Sequence, residues 1–222
     1  MKIENIKACV FDAYGTLFDV NSAAAKCKEK LGGKWEGFAN AWRTTQLEYT
    51  WLRSLMKRHK NFWEITEDSL DHTMETFKIK KEMRNELLDL YKKLSPYPEV
   101  KECLEGLKAK KIKITILSNG TPDLLKGLVE SNNIQNYFDD ILSVESVEVY
   151  KPDSRVYEMP IKKYDCKPEN ICFMSSNTWD ISGGGIFGYN TVWVNRFNKV
   201  FDKLGHKPKF VINNLKELLK II

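Results

Sequence analysis

The chain has 222 residues, a formal net charge of +5, and 42% hydrophobic and 29% charged residues, the balance of an ordinary globular protein with room for a substantial core. No apolar run approaches the roughly 18 residues needed to cross a bilayer, so a membrane protein is not expected. The basic residues are dispersed, and their densest clusters (Lys57 to Lys60, Lys78 to Arg84, Lys108 to Lys113) lack the interleaved aromatics of a nucleic-acid platform, so solvated helix faces are expected there and no nucleic-acid partner.

In chain order, Met1 to Asn5 lead straight into a strand-like run without the apolar stretch of a secretion signal. The run Ile6 to Phe11 predicts a strand that stops at Asp12. A long segment then reads as all-helical. Trp35, Phe38, Trp42, Tyr49, Leu52 and Leu55 recur at helical spacing, with Leu47 and Trp51 on a second face, which predicts a helix buried inside a bundle. Further helices are expected over 68–77 and 81–94, before Ser95-Pro96-Tyr97-Pro98 breaks the pattern. Next come a helix over 99–110 and a strand over 112–117 ending at Ser118. Strands over 171–174 and 191–194 end at Ser175 and Asn195, and a short run over 210–212 precedes a terminal helix. Apolar runs alternating with helices predict an α/β protein with a Rossmann-like parallel sheet. The boundaries expected are a core of residues 1–16 and 96–222 and an inserted helical cap of residues 17–95. The five cysteines have no CxxC spacing, so free thiols in a reducing cytoplasm are expected, without zinc. His59, His72 and His206 sit among polar neighbours, as surface residues do.

The strand ends carry the chemistry, because ligands in open α/β sheets bind beyond the carboxyl ends of the strands. Asp12 puts a carboxylate there, and Gly15 permits a tight turn behind it. Ser118 and Asn119 offer a hydroxyl and an amide after the second strand. Lys151, before Pro152, is a cation that would hold a buried carboxylate ionised. Ser175, Asn177 and Asp180 follow a later strand. Each segment alone is equally an ordinary turn, cap or surface lysine. Gly183 to Gly188 formally matches G-x-G-x-x-G, but residues 175–182 separate it from the preceding strand and the next strand ends in Asn195, not an acid. Close helix-to-sheet packing is expected there instead of NAD.

Together these segments resemble, in order, the four signature motifs of the haloacid dehalogenase superfamily. The stretch Phe11 to Asp19, the cap residues Trp42-Arg43 and Gln46 to Arg53, Tyr150 to Tyr157, Ser175 to Asp180, and Trp193 to Arg196 look like the L-2-haloacid dehalogenases in particular. The resemblance implies an Asp12 nucleophile that attacks C2 of a short 2-haloacid and forms an ester. It implies that Thr16 and Lys151 orient Asp12, and that Ser118 with backbone N–H groups binds the substrate carboxylate. Arg43 and Asn119, with the aromatic Tyr14 and Trp179, would receive the halide; Asp180 would activate water and Tyr157 would support the network, with Ser175 and Asn177 also at family active-site positions. It further implies a homodimer. The sequence departs from the family at Thr44, where a glutamine is expected after the arginine; this changes the expected shape of the halide pocket.

What is missing agrees with that resemblance. Superfamily phosphatases carry a second aspartate two residues after the nucleophile, where this chain has Tyr14, and acids in the fourth motif that hold Mg²⁺, where it has Asn177. A halide leaves unprotonated, so neither a general acid nor a metal or other cofactor is required. The competing readings are a Mg²⁺-dependent phosphatase of the same fold and a non-catalytic scaffold, the latter opposed by the joint presence of Asp12, Arg43, Lys151 and Asp180.

Overall fold

The computed structural model describes residues 2–222. Met1, the start of the expected N-terminal segment, lies outside them. Six strands form one parallel sheet in the order β3-β2-β1-β4-β5-β6: β1 Ala8–Phe11, β2 Lys113–Ser118, β3 Asp140–Ser143, β4 Ile171–Ser175, β5 Asn190–Val194 and β6 Phe210–Ile212. Both faces of β1 and β4 are buried, so they read as unbroken apolar runs rather than alternating ones. The chain winds outward from β1 through β2 to β3, then returns to lay β4 against the other side of β1. That reversal opens a crevice at the carboxyl end of β1, where Asp12 stands.

Of the six α-helices between β1 and β2, the first five are α1 Ser22–Lys26, α2 Lys28–Leu31, α3 Trp35–Leu55, α4 Phe62–Phe77 and α5 Met83–Tyr91. They form the helical cap. The later helices α6 Val100–Ala109, α7 Pro122–Ser131, α8 Ser154–Tyr164, α9 Thr178–Phe187 and α10 Leu218–Ile221 belong to the α/β core. The two chain segments joining cap to core run side by side: Asp19 N–H donates to Ser95 O (2.9 Å), Tyr97 N–H to Leu17 O (3.0 Å), and Phe18 bridges Pro96.

Several expectations need correction. The strand β3 was not anticipated; its Asp-Ile-Leu-Ser sequence lies at the sheet edge, mostly half-buried, and shows no apolar run. Helix α4 starts six residues before the expected 68 because Asn61 caps it in a reciprocal box with Glu64, and α5 is shorter at both ends than 81–94. Leu52 and Leu55 are not inside the bundle. They are 50% and 80% exposed, because the end of α3 runs past the helices that cover Phe38, Trp42 and Gln46. His72 is exposed as expected, but His59 is partly buried in an ion pair with Glu145 (2.9 Å), and His206 packs against α9 and bonds Thr191. The glycine run lies within α9, where a Cβ on Gly183 would come within 2.6 Å of the Tyr157 hydroxyl. Close packing is therefore its role, as expected.

Candidate active site

Asp12 begins the loop after β1, its N–H still bonded to Met174 O on β4 (2.9 Å). Gly15, at φ +90°, lets the chain fold back so that Thr16 comes over the carboxylate it follows. The two carboxylate oxygens have different surroundings. Oδ2 accepts from Thr16 Oγ1 (2.9 Å) and Asn177 Nδ2 (2.9 Å), with Ser175 Oγ at 3.5 Å; among the described residues Oδ1 accepts only from Lys151 Nζ (3.2 Å). A carboxylate oxygen offers about two lone-pair sites, so Oδ1 is the one with a pair to spare.

Lys151 is fully buried and bridges two acids, Asp12 and Asp180, the second at 2.9 Å. Asp180 comes from the first turn of α9 and is completely buried; its other oxygen accepts from Tyr157 Oη (2.8 Å). Burial raises the Asp180 pKa to about 6, with the Lys151 charge opposing that rise and the Asp12 charge adding to it. Burial by itself would lower the Lys151 pKa, but the two carboxylates outweigh it and the ammonium is held above its ordinary value. The Tyr157 hydroxyl is pushed well up by burial and by Asp180, so it stays a neutral donor. Among the described residues no group of three or more His, Cys, Asp or Glu side chains is placed to hold a metal ion. The positive charge between the two acids is the lysine.

Arg43 descends from α3 of the cap. One guanidinium nitrogen donates to Gln46 Oε1 (2.8 Å) and the other reaches Tyr14 O at 3.5 Å, a carbonyl that Asn177 Nδ2 also contacts. Arg43, Tyr14, Asn177 and Trp179 line a cleft of about 530 Å³ between cap and core. Thr44, the departure from the family pattern, is on its wall and exposed. Tyr14 is stacked on Tyr91 (5.7 Å between ring centres) and tilted against Phe62 (5.2 Å). Its hydroxyl is buried with no partner among the described residues, and burial holds its pKa well above the ordinary value, so it is a free neutral donor beside the nucleophile. Trp179 meets Trp51 of the cap edge-to-face at 5.4 Å.

Ser118 is the last residue of β2 and Asn119 follows it, beside the end of β1 that Asp12 follows. Ser118 Oγ accepts from Gly120 N–H (3.1 Å), and Asn119 Oδ1 accepts from the Lys151 N–H (3.1 Å). The side chain assigned to halide binding therefore also holds the Lys151 backbone. Seven predicted residues, Asp12, Thr16, Lys151, Tyr157, Ser175, Asn177 and Asp180, share one hydrogen-bonded network. Arg43, Tyr14, Trp179, Ser118 and Asn119 surround it without bonding to the carboxylates.

Sequence reasoning missed the residues that hold this network in place. Arg196, past β5, donates to Thr16 O (3.0 Å), Ser176 Oγ (3.0 Å) and Glu99 Oε1 (2.6 Å), which ties both catalytic loops to the start of α6. Glu145 accepts from His59 and from the Phe62 N–H at the start of α4 (2.9 Å), and Tyr150 Oη donates to Lys60 O (2.6 Å), pinning the cap one residue from Lys151. Tyr150 and Arg196 stood within the segments that resemble the family, but nothing local to them gave these roles.

Comparison with known proteins agrees with this geometry. Residues 6–188 match the family model for haloacid dehalogenase-like hydrolases. The chain is 41% identical to (S)-2-haloacid dehalogenase 1 of Pseudomonas sp. strain CBS-3, covering 99% of this chain and 98% of that one. It is 43% identical to the (S)-2-haloacid dehalogenase of Pseudomonas fluorescens, over 97% and 96%. The L-2-haloacid dehalogenase of Xanthobacter autotrophicus, solved with chloropropionic acid covalently bound, superposes with a TM-score of 0.90 at 32% identity over 97% of each chain. By the family model and these full-length relatives, the chain belongs to the haloacid dehalogenase-like hydrolases and, among them, to the (S)-2-haloacid dehalogenases.

Proposed function

We propose that this enzyme hydrolyses short (S)-2-haloalkanoic acids to (R)-2-hydroxy acids through an ester on Asp12. The observation that carries the reading is the buried Asp12 carboxylate, fixed by donors on Oδ2 and paired with Lys151 on Oδ1, beside a cleft that Arg43 enters from the cap. The Oδ1 lone pair attacks C2 from the side opposite the halogen. The C–O bond forms as the carbon–halogen bond breaks, the halide leaves with that electron pair, and C2 inverts. Arg43, with Asn119 beside Tyr14 and Trp179, meets the developing halide charge; a donor aimed in this way contributes about 3 kcal/mol to the transition state. The Ser118 hydroxyl and neighbouring N–H groups take the substrate carboxylate. Water then adds to the Asp12 carbonyl carbon and gives a proton to Asp180. The tetrahedral intermediate collapses, the departing alkoxide takes the proton of the added hydroxyl so that the Asp12 carboxylate is restored, and Asp180 gives its proton up to solvent.

Charge balance supports the assignment. Asp12 and Asp180 face Lys151 and Arg43, two charges of each sign, so a monoanionic haloacid adds a single charge to a neutral cluster. A phosphate ester would bring two, and Tyr14 stands where a leaving-group acid would be needed. Chloride release from (S)-2-chloropropionate in EDTA is the test, with release from the (R)-enantiomer expected to be absent. No chloride from either, with phosphate released from an ester in Mg²⁺, would overturn the reading in favour of a phosphatase.

Residues 17–95 are proposed as the cap domain and 1–16 with 96–222 as the core, supported by the paired connections at 17–19 and 95–97. No helix is long and apolar enough to cross a membrane. A cytoplasmic location is proposed because all five cysteines are free. A homodimer is proposed as well, supported by the exposed Leu52, Leu55 and Met56 at the end of α3. Light scattering should then give twice the 25.8 kDa chain mass, falling to one chain in Leu55→Glu. A wild-type mass of one chain would remove the proposal.

A further inference from the structure

Gln46 is a buried amide, 1% exposed, on the face of α3 that also buries Phe38, Ala39, Trp42 and Thr50. Its partners lie on three cap helices, its own among them. Oε1 accepts from Arg43 Nη1 (2.8 Å), while Nε2 donates to Thr66 Oγ1 on α4 (2.7 Å) and to Tyr91 Oη on α5 (3.1 Å). The Thr66 hydroxyl donates its own proton to Phe62 O (2.7 Å), so toward Gln46 it can only accept. The amide is therefore fixed in one orientation, because flipping it would set its NH₂ against the guanidinium and leave two acceptors facing each other at Thr66. The Arg43 contact to Gln46 is also much shorter than its 3.5 Å approach to Tyr14 O.

We propose that Gln46 is a positioning residue for the reaction. It anchors one edge of the Arg43 guanidinium to the cap so that the remaining N–H groups point at the departing halide. Arg43 has five N–H donors in a rigid fork, so fixing one edge fixes the direction of the others. This proposal rests on the reading that Arg43 receives the halide. Three elements support the anchor: α3 carries both residues, α4 supplies Thr66, and α5 supplies Tyr91, whose ring also stacks on Tyr14. Halide stabilisation is thereby coupled to assembly of the whole cap. Displacing a catalytic group by about 1 Å costs about 10²-fold in rate, which sets the scale expected for losing the anchor.

The experiment compares single-turnover ester formation from (S)-2-chloro-, 2-bromo- and 2-iodopropionate in wild type, Gln46→Met, Gln46→Glu, Arg43→Met and the Arg43→Met/Gln46→Met double variant. Gln46→Met should slow ester formation by about 10- to 100-fold, most for chloride and least for iodide, with little change in KM. Gln46→Glu keeps an acceptor for Arg43, and because the Tyr91 and Thr66 hydroxyls can turn their protons onto the new carboxylate oxygen it should retain the wild-type ordering of the halides, with circular dichroism of both variants guarding against one that folds poorly. In the Arg43→Met background Gln46→Met should cost nothing further, because a residue acting through another has no effect once that other is gone. Equal slowing of all three halides, or losses that simply add in the double variant, would overturn the positioning role. If Arg43→Met itself shows no leaving-group dependence, the assignment of Arg43 to the halide fails, whatever Gln46 does.

Discussion

Asp12→Asn is expected to lower halide release by about 10⁴- to 10⁶-fold, the range seen when a residue of a covalent catalytic unit is removed. The substitution is nearly isosteric, so the cause is chemical. The amide lacks the nucleophilic charge, and either orientation places its NH₂ against donors: Lys151 on one side, or Thr16 and Asn177 on the other. Circular dichroism should show a folded protein. A single turnover in ¹⁸O-water, with wild-type enzyme in excess, tests the ester directly. Water attacks the Asp12 carbonyl carbon, so the heavy oxygen should appear in the peptide containing Asp12, and the first hydroxy acid should carry ordinary oxygen from Oδ1. Heavy oxygen in that first product would mean that water attacks C2 directly, and Asp12 would lose its role as nucleophile.

The sequence made the centre of this site legible because its parts lie at strand ends. A run such as Ala8 to Phe11, buried on both faces, can only be a central strand, and the acid that stops it must then stand at the ligand edge. The same logic reached Ser118, Ser175 and Asn177. It failed at β3, where an edge strand needs burial on one side only and Asp139 and Asp140 mask it. In the cap, helical spacing located α3 and its inward Phe38 and Trp42, but a periodic pattern does not say where the covering helices end, so Leu52 and Leu55 were misplaced. Gln46, His59 and Arg196 escaped for a different reason. Each is explained by partners 20 to 180 residues away: Thr66, Glu145 and Thr16. A polar residue whose value lies in a distant partner leaves no local periodicity to detect.

Lys151→Met is expected to have the second large effect, acting on both rate and stability. The thioether fills the aliphatic path of the lysine but leaves Asp12 and Asp180 as buried neighbours with no cation between them. Removing one partner from a buried ionic cluster costs about 3–5 kcal/mol. Here the cost depends on pH, because a proton on one acid can replace the lost ammonium. Burial already raises the Asp180 pKa from 3.8 to about 6 with Lys151 opposing the rise, so removing that charge must raise it further. Between the unfolded value and this raised folded value, the folded state binds more protons than the unfolded state. Stability therefore falls as pH rises through that window. Relative to wild type, the variant should melt closest to normal near about pH 5 and be most destabilised above about pH 8. Turnover is lost for the same reason: without Lys151 nothing orients Oδ1 of Asp12, and a protonated Asp180 cannot take the proton from water. In wild type that second requirement predicts that ester hydrolysis weakens at acid pH, with its midpoint below about 6 because the esterified Asp12 no longer adds its charge to the rise. Melting temperature against pH for both proteins, read beside single-turnover rates, checks the pair of claims. A variant that melts below wild type by the same amount at every pH would mean that Lys151 contributes packing rather than charge, and that the two acids do not share a proton in its absence.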